Sequence, residues 1–304
     1  MADHEYEHVD KSFGYLVSAA ASVERIWTGG IWTEGPVYFP SQKSLLWNDI
    51  PNNRTMRYDE TTGHVGVFRQ PSNFANGNTV DRQGRLVSCE QGSRSLTRTE
   101  HDGSITVLVD QYEGKRFNSP NDVVVKSDDS IWFTDPAYGI ETDFEGYRAE
   151  SEIGSDNVYS LDPRTSECRI VEDSFDRPNG LAFNADESKL YIVDSGGWRF
   201  PENPHHIRCF DVSEKNELSG GEVLAECSNG VFDGFRLDEL GHIWTSAKDG
   251  VHCYRPDGKL LGKILIPEGV SNLTFGGERH NRLYITATSS VYSVMLRVKG
   301  LRLF

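Results

Sequence analysis

No stretch of this chain approaches the ~20 consecutive apolar residues of a membrane-spanning helix. Its first thirty residues carry Glu5, Glu7, Asp10 and Glu24 where a secretory leader would need an apolar core. The expected location is the cytoplasm, or the periplasm or exterior if a signal peptide was removed. Cysteine is scarce: Cys89, Cys168, Cys209, Cys227 and Cys253 are odd in number and show neither a C-x-x-C pair nor a zinc spacing. They read as small buried hydrophobes of a reducing compartment. Basic residues are outnumbered, 31 Lys and Arg against 46 Asp and Glu, for a net charge of -15. That balance excludes the basic footprint a nucleic-acid partner requires. The serine-esterase elbow G-x-S-x-G is missing, as are G-x-G-x-x-G and the Walker loop, so neither an α/β-hydrolase nor a nucleotide cofactor has support. Amphipathic helix patterns are absent too, apart from a short one near Leu16–Val23.

What the chain does have is a repeat. Six stretches open on an acid or amide followed by an apolar strand: Glu34-Gly35-Pro36, Asn76-Gly77-Asn78, Asn121-Asp122-Val123, Asn179-Gly180-Leu181, Asp233-Gly234-Phe235 and Asn272-Leu273-Thr274. Each leads into a second, aromatic-rich strand, as in Ile131-Trp132-Phe133 and Ile243-Trp244, with Asp/Gly turns between strands. Asp-Gly between apolar alternations signals a hairpin. Units of about forty residues or slightly more, each of four short strands, predict an all-β fold: a six-bladed β-propeller of four-stranded antiparallel blades around a central channel. The whole of 1–304 reads as one such domain, with 1–26 as an N-terminal extension. The last strand, Val291–Leu296, is expected to share a blade with a strand from the N-terminal segment, hiding both edges.

A repeat in sequence implies a repeat in space, so the six opening residues converge on the ring axis. The loops between second and third strands return to the same mouth. The longest of them, 137–156 and 195–206, are expected to overhang it, where binding groups are commonly carried. Glu34, Asn121, Asn179 and Asp233 would supply two carboxylates and two amide carbonyls. An all-oxygen set of charge -2 suits a hard divalent cation, Ca²⁺ before Mg²⁺ or Mn²⁺. Zn²⁺ fits less well, because no histidine stands at an opening position. The competing reading is that Asn-Gly and Asp-Gly simply make turns.

The motifs Arg116-Phe117-Asn118-Ser119-Pro120-Asn121-Asp122, Phe133-Thr134-Asp135-Pro136-Ala137-Tyr138-Gly139 and Arg177-Pro178-Asn179-Gly180-Leu181, with Glu34-Gly35-Pro36, resemble those of the gluconolactonase, regucalcin (senescence marker protein) and luciferin-regenerating enzyme family. The similarity runs from about Trp27 to about Val294. It implies a divalent cation, usually Ca²⁺, held by Glu34, Asn121, Asn179 and Asp233, and hydrolysis of sugar or related lactones. Asn76 falls where the family often places a substrate-facing asparagine. One departure stands out: Cys89-Glu90-Gln91-Gly92 replaces the Cys-Glu-His-Gly of many bacterial relatives, and Gln91 carries no proton at neutral pH.

The expected chemistry is cation-assisted lactone hydrolysis, with Asp233 and Asn121 as catalytic residues and Asp233 the candidate general base. Asp122 is expected to support its neighbour. Asn76, Glu90, Arg94, Tyr138 and Trp198 are the candidate substrate contacts. The partner implied is a small lactone such as glucono-1,5-lactone. Two alternatives keep the fold. One is a hydrolase of other lactones, aryl esters or organophosphates at the same cation site, and the other a non-catalytic calcium-binding protein.

Overall fold

The hairpins form where the Asp/Gly turns predict them. Asp81 Oδ1 accepts the backbone N–H of Gln83 (3.0 Å) and Arg85 (2.8 Å), while Gly84 takes φ +79°. Asp238 Oδ1 does the same for Leu240 and His242, with Gly241 at φ +81°. The aspartate oxygen satisfies turn donors, and the glycine enters the left-handed region without a Cβ penalty. β-Branched and aromatic residues fill the strands between such turns.

A computed structural model, described over residues 5–18 and 20–302, shows the result: six antiparallel sheets around a central axis, the six-bladed propeller expected. From the axis outward, blade 1 is Thr33–Phe39, Ser44–Asp49, Arg54–Asp59 and Val65–Arg69. Blade 2 is Ala75–Val80, Leu86–Glu90, Ser95–Thr99 and Ile105–Val109. Blade 3 runs Val123–Val125, Ile131–Asp135, Asn157–Asp162 and Glu167–Glu172, and blade 4 runs Pro178–Phe183, Lys189–Asp194, His206–Val212 and Leu218–Glu226. Blade 5 comprises Phe235–Leu237, Ile243–Ala247, Gly250–Tyr254 and Leu260–Leu265. Blade 6 comprises Val270–Gly276, Arg282–Ala287 and Ser290–Met295, and its outermost strand is Glu24–Thr28.

The segment before residue 27 is thus more than an extension. Besides Glu24–Thr28 it supplies Tyr6–His8, a fifth strand on the outer edge of blade 5. The short helix expected at Leu16–Val23 does not form. A single 3₁₀ turn at Lys11–Tyr15 drives Phe13 under blade 5, and Val17 bridges to Leu296. Ala19 lies outside the described residues. Burial of Phe13, Leu16 and Val17 in the core shared by blades 5 and 6 outweighs the local pattern.

Aromatic side chains of the second strands fill the spaces between blades. Trp132 and Trp244 occupy equivalent positions in blades 3 and 5, Trp47 lies one place further along its strand in blade 1, and all three are fully buried. The Trp132 ring meets Phe183 of blade 4 edge-on at 5.4 Å, and Phe133 stacks on Tyr159 at 5.3 Å. All five cysteines are free thiols, three of them buried.

At the axis the glycines that follow the opening residues set the spacing. They mark close backbone approach between blades, and the Asn-Gly pairs lie within the innermost strands. Gly77 N–H donates to the Asn121 carbonyl (2.7 Å) and Gly180 N–H to the Asp233 carbonyl (3.1 Å). A Cβ on Gly77 would stand 2.4 Å from Asn121 O, and one on Gly180 would stand 2.4 Å from Asp233 O. The pairing register also slips here, between Glu34 and Val37, Ala75 and Asn78, Pro178 and Leu181, and Val270 and Asn272. Such bulges re-aim side chains. Gly180→Ala should therefore lower the unfolding free energy by about 1–3 kcal/mol, the usual cost of overpacking. Denaturant titration checks this; wild-type stability would show that the blades separate without cost.

Candidate functional site

The opening residues and the long loops enclose a cavity of about 260 Å³ at one mouth of the channel. Glu34, Asn76, Asn121, Asn179 and Asp233 line its floor from blades 1, 2, 3, 4 and 5. Tyr138, Glu141, Thr142, Phe144 and Glu145 come from the loop 137–156, Ser195 and Trp198 from the loop 195–206, and Trp32 and Val231 from segments leading into blades 1 and 5. Four carboxylates line it, Glu34, Glu141, Glu145 and Asp233, and no lysine, arginine or histidine does.

Each floor residue is held by its neighbours. Glu34 is buried; its Oε2 accepts Gly35 N–H (2.6 Å) and Asn272 Nδ2–H (3.0 Å), while Oε1 is buried with no hydrogen-bond partner. Asn272, the sixth opening residue, therefore braces Glu34. Ser195 Oγ donates its one proton to the Phe232 carbonyl (2.6 Å), so it must accept from Asn179 Nδ2 at 3.1 Å. That fixes the amide face of Asn179. Asp233 takes its backbone position from Ser246 Oγ, which accepts its N–H at 2.8 Å.

The electrostatics follow from burial. Desolvation pushes Glu34 up from 4.5 to about 8, with the charge of Asp122 adding to the rise. Asp233 is pushed well above its ordinary value by desolvation first, then by Glu34, Glu145 and Asp122, while a hydrogen bond from Asn179 opposes the rise. Glu145 is raised to about 7 by desolvation and by Glu141. Desolvation and the Asp233 charge also push the Tyr138 hydroxyl up, so it stays protonated.

Among the described residues no three His, Cys, Asp or Glu side chains are grouped as a metal centre. Glu34, Asn121, Asn179 and Asp233 together are half amide, and they fit a hard cation on chemical grounds. Glu34 Oε1 is an orphaned buried acceptor, and the two carboxylates are desolvated against each other with no cation in the lining. A divalent ion is what such an oxygen set accommodates.

Two sequence-derived substrate contacts lie elsewhere. Glu90 ends the second strand of blade 2, the place that Asp49, Asp135 and Asp194 hold in blades 1, 3 and 4. There it accepts from Arg69 (3.1 Å), Asn73 (2.8 Å), Ser93 (2.8 Å) and Thr97 (2.9 Å), and it does not line this cavity. Asp135 and Asp194 do the same work, taking Asn118 and Ser119 N–H or Asp176, Arg177 and Gly196 N–H. Arg94 is buried at φ +57°, its Nε donating to the Phe117 carbonyl at 2.5 Å. Gln91 packs against Gly139, so the site of the missing histidine is outside the lining. Asp122 does not reach Asn121's side chain. Its Oδ1 accepts Val123 N–H (2.9 Å) and its Oδ2 lies 3.7 Å from Arg236. Glu141, Glu145, Trp32, Phe144 and Ser195 are lining residues that sequence reading did not single out. Only the length of the loop 137–156 pointed to the first two.

Fold and site together define a six-bladed propeller with an acidic, oxygen-lined channel mouth. Residues 32–289 match the SMP-30/Gluconolactonase/LRE-like family, and the chain belongs to that family. A gluconolactonase of Zymomonas mobilis is 29% identical over 94% of this chain and 84% of its own length. A pentonolactonase of Haloferax volcanii is 30% identical over 83% of this chain and 80% of its own. A solved gluconolactonase of Xanthomonas campestris superposes with a TM-score of 0.90 at 34% identity, covering 96% of this chain and 94% of that one.

Stability should report the buried carboxylates. In the presence of a chelator, Glu34 keeps its proton up to about 8 in the native state, whereas the unfolded chain has lost it above 4.5. The native state then binds the extra proton, so stability falls as pH rises across that window. From pH 6.5 to 8, above the ordinary range of histidine, the chelated protein should lose thermal midpoint. Glu34→Gln should flatten the slope. A flat or rising wild-type profile by calorimetry contradicts the assignment.

Proposed function

We propose that this chain hydrolyses sugar lactones such as glucono-1,5-lactone at the channel mouth, with a divalent cation, Ca²⁺, held by Glu34, Asn121, Asn179 and Asp233. The observation that carries the reading is the convergence of these four oxygen donors in one cavity, with Glu34 Oε1 buried and unpartnered. The names of the relatives support the reaction class. When bound, the cation supplies Lewis acidity toward an ester carbonyl and lowers the pKa of nearby water.

The remaining work falls to the chain. Asp233, a carboxylate on the cavity floor beside the cation site, is the base that takes a proton from the attacking water. The water oxygen bonds to the lactone carbonyl carbon, the ring C–O bond breaks, and the departing ring oxygen takes a proton to give the open-chain hydroxy acid. Asn121 holds its place through backbone bonds to both neighbours: its N–H donates to Thr134 O (2.8 Å) and its carbonyl accepts from Gly77. Asn76 offers an amide to a sugar hydroxyl. Tyr138 and Trp198, the latter 6.1 Å from Trp32, wall the ring from bulk water. Glu90 and Arg94 take no part in this reading.

A pH-stat assay over a lactone panel, with and without chelator, tests it. Turnover should vanish on rigorous chelation and return with Ca²⁺; activity that survives cation removal discards the cation. Asp233→Asn should cut kcat/KM by about 10²-fold or more, the usual loss of a general base. Isothermal calorimetry should still detect cation binding to that variant. Near-wild-type hydrolysis by it would remove Asp233 from the mechanism.

A further inference from the structure

Beside the cavity lies a second, more open chamber of about 640 Å³. The two share Tyr138, Glu141, Thr142, Ser195 and Trp198, so a ligand seated on the floor can extend past Tyr138 into it. Their charges differ. The cavity is lined by four carboxylates and no cationic side chain, whereas the chamber brings Arg148, Arg177 and Arg199 against Glu141 and Glu150.

Arg177 is the unusual member. It is only 7% exposed, its Cζ lies 5.0 Å from the Tyr138 ring centre, and its backbone N–H is fixed on Asp194 Oδ1 at 2.9 Å. Its Nη2 binds Glu141 and its Nε lies 3.6 Å from Asp156. Nη1 is buried and has no partner. A buried guanidinium nitrogen without an acceptor is costly, and it belongs to a side chain that lines the chamber. Arg199 is partly engaged, its Nη1 3.1 Å from Glu141. Arg148 is exposed and holds its backbone N–H on Asp143 Oδ1 (2.9 Å), while its guanidinium forms no ion pair among the described residues.

We propose that the substrate is a lactone carrying an anionic substituent, a carboxylate or a phosphate, and that the chamber receives it on Arg177 Nη1 and Arg148. The inference rests on the cavity being the lactone site. Within the cavity a negative substituent would meet Glu145 and no cationic side chain. Turned past Tyr138, it meets planar donors suited to carboxylate and phosphate oxygens. The neutral ring then sits over the oxygen donors and the charge sits over the arginines.

The test is calorimetric binding of three open-chain acids, gluconate, glucarate and 6-phosphogluconate, to wild type, Arg177→Met and Arg148→Met. Hydrolysis of glucono-1,5-lactone is measured alongside. Wild type should bind glucarate or 6-phosphogluconate about tenfold or more tighter than gluconate, the gain of one charge-assisted hydrogen bond. The stronger of the two identifies carboxylate or phosphate. Each variant should pull that ratio toward one. A purely structural Arg177 would lower stability and leave the ratio unmoved. Should Arg177→Met fail to fold, Arg148→Met, at an exposed position, decides. A ratio near one in wild type, or an unchanged ratio in both variants, overturns the proposal. Charge preference without lactone hydrolysis would retire the lactonase reading and keep the chamber; hydrolysis without preference does the reverse.

Discussion

Everything at the channel mouth depends on how closely the innermost strands approach one another. Where Gly77 faces Asn121, and Gly180 faces Asp233, a backbone N–H reaches the neighbouring blade's carbonyl, and no side-chain atom fits between them. That contact does two things at once. It ties successive blades by hydrogen bonds rather than by apolar packing alone, and it draws the polar side chains onto one small floor. A ring with larger residues at these points would be wider, and its carboxylates would be hydrated instead of desolvated against each other.

The same closeness sets the site's electrostatics. Glu34 and Asp233 are raised in proton affinity because water is excluded and like charges are near. The outer frame then orients what the ring has gathered. Asn272 holds one Glu34 oxygen and leaves the other open, and Ser195 spends its proton on a backbone carbonyl so that the Asn179 amide has one orientation. Acids at the ends of second strands pin the loops over the mouth. Asp135 takes the N–H groups of Asn118 and Ser119, and Ser119 Oγ in turn donates to Pro136 O and accepts Gly139 N–H. The Ser-Pro-Asn-Asp stretch thus serves the loop and the floor together.

The fold was legible because a repeated polar-Gly-apolar opening must recur in space, and the four-strand template had turn chemistry at each corner. The floor residues were legible for the same reason. Glu90 was named as a substrate contact without regard to its place at the end of a second strand. Aligning the ends of the second strands would have grouped it with Asp49, Asp135 and Asp194 as a loop anchor. Glu141 and Glu145 sit in an insertion that no other blade repeats, so periodicity carries no information about where they point. Arg177 was visible only as part of a motif. Its open Nη1 is a property of packing around Tyr138, which no spacing encodes. The turn reading of Asn-Gly failed too, since a glycine admits close backbone approach as well as tight turns, and only three dimensions separate the two.

The outermost strand of blade 6 carries a consequence for biosynthesis. Thr28 Oγ1 accepts from Ser290 Oγ across 262 residues of chain. During translation, Glu24–Thr28 emerges well before its partner, Ser290–Met295. Its edge therefore has no native mate until the sixth blade has been made, and the loop-closure entropy of that pairing falls on the closing of the ring. The half-made ring is the interval in which an exposed strand edge is open to foreign pairing, and the arrival of Ser290–Met295 ends it.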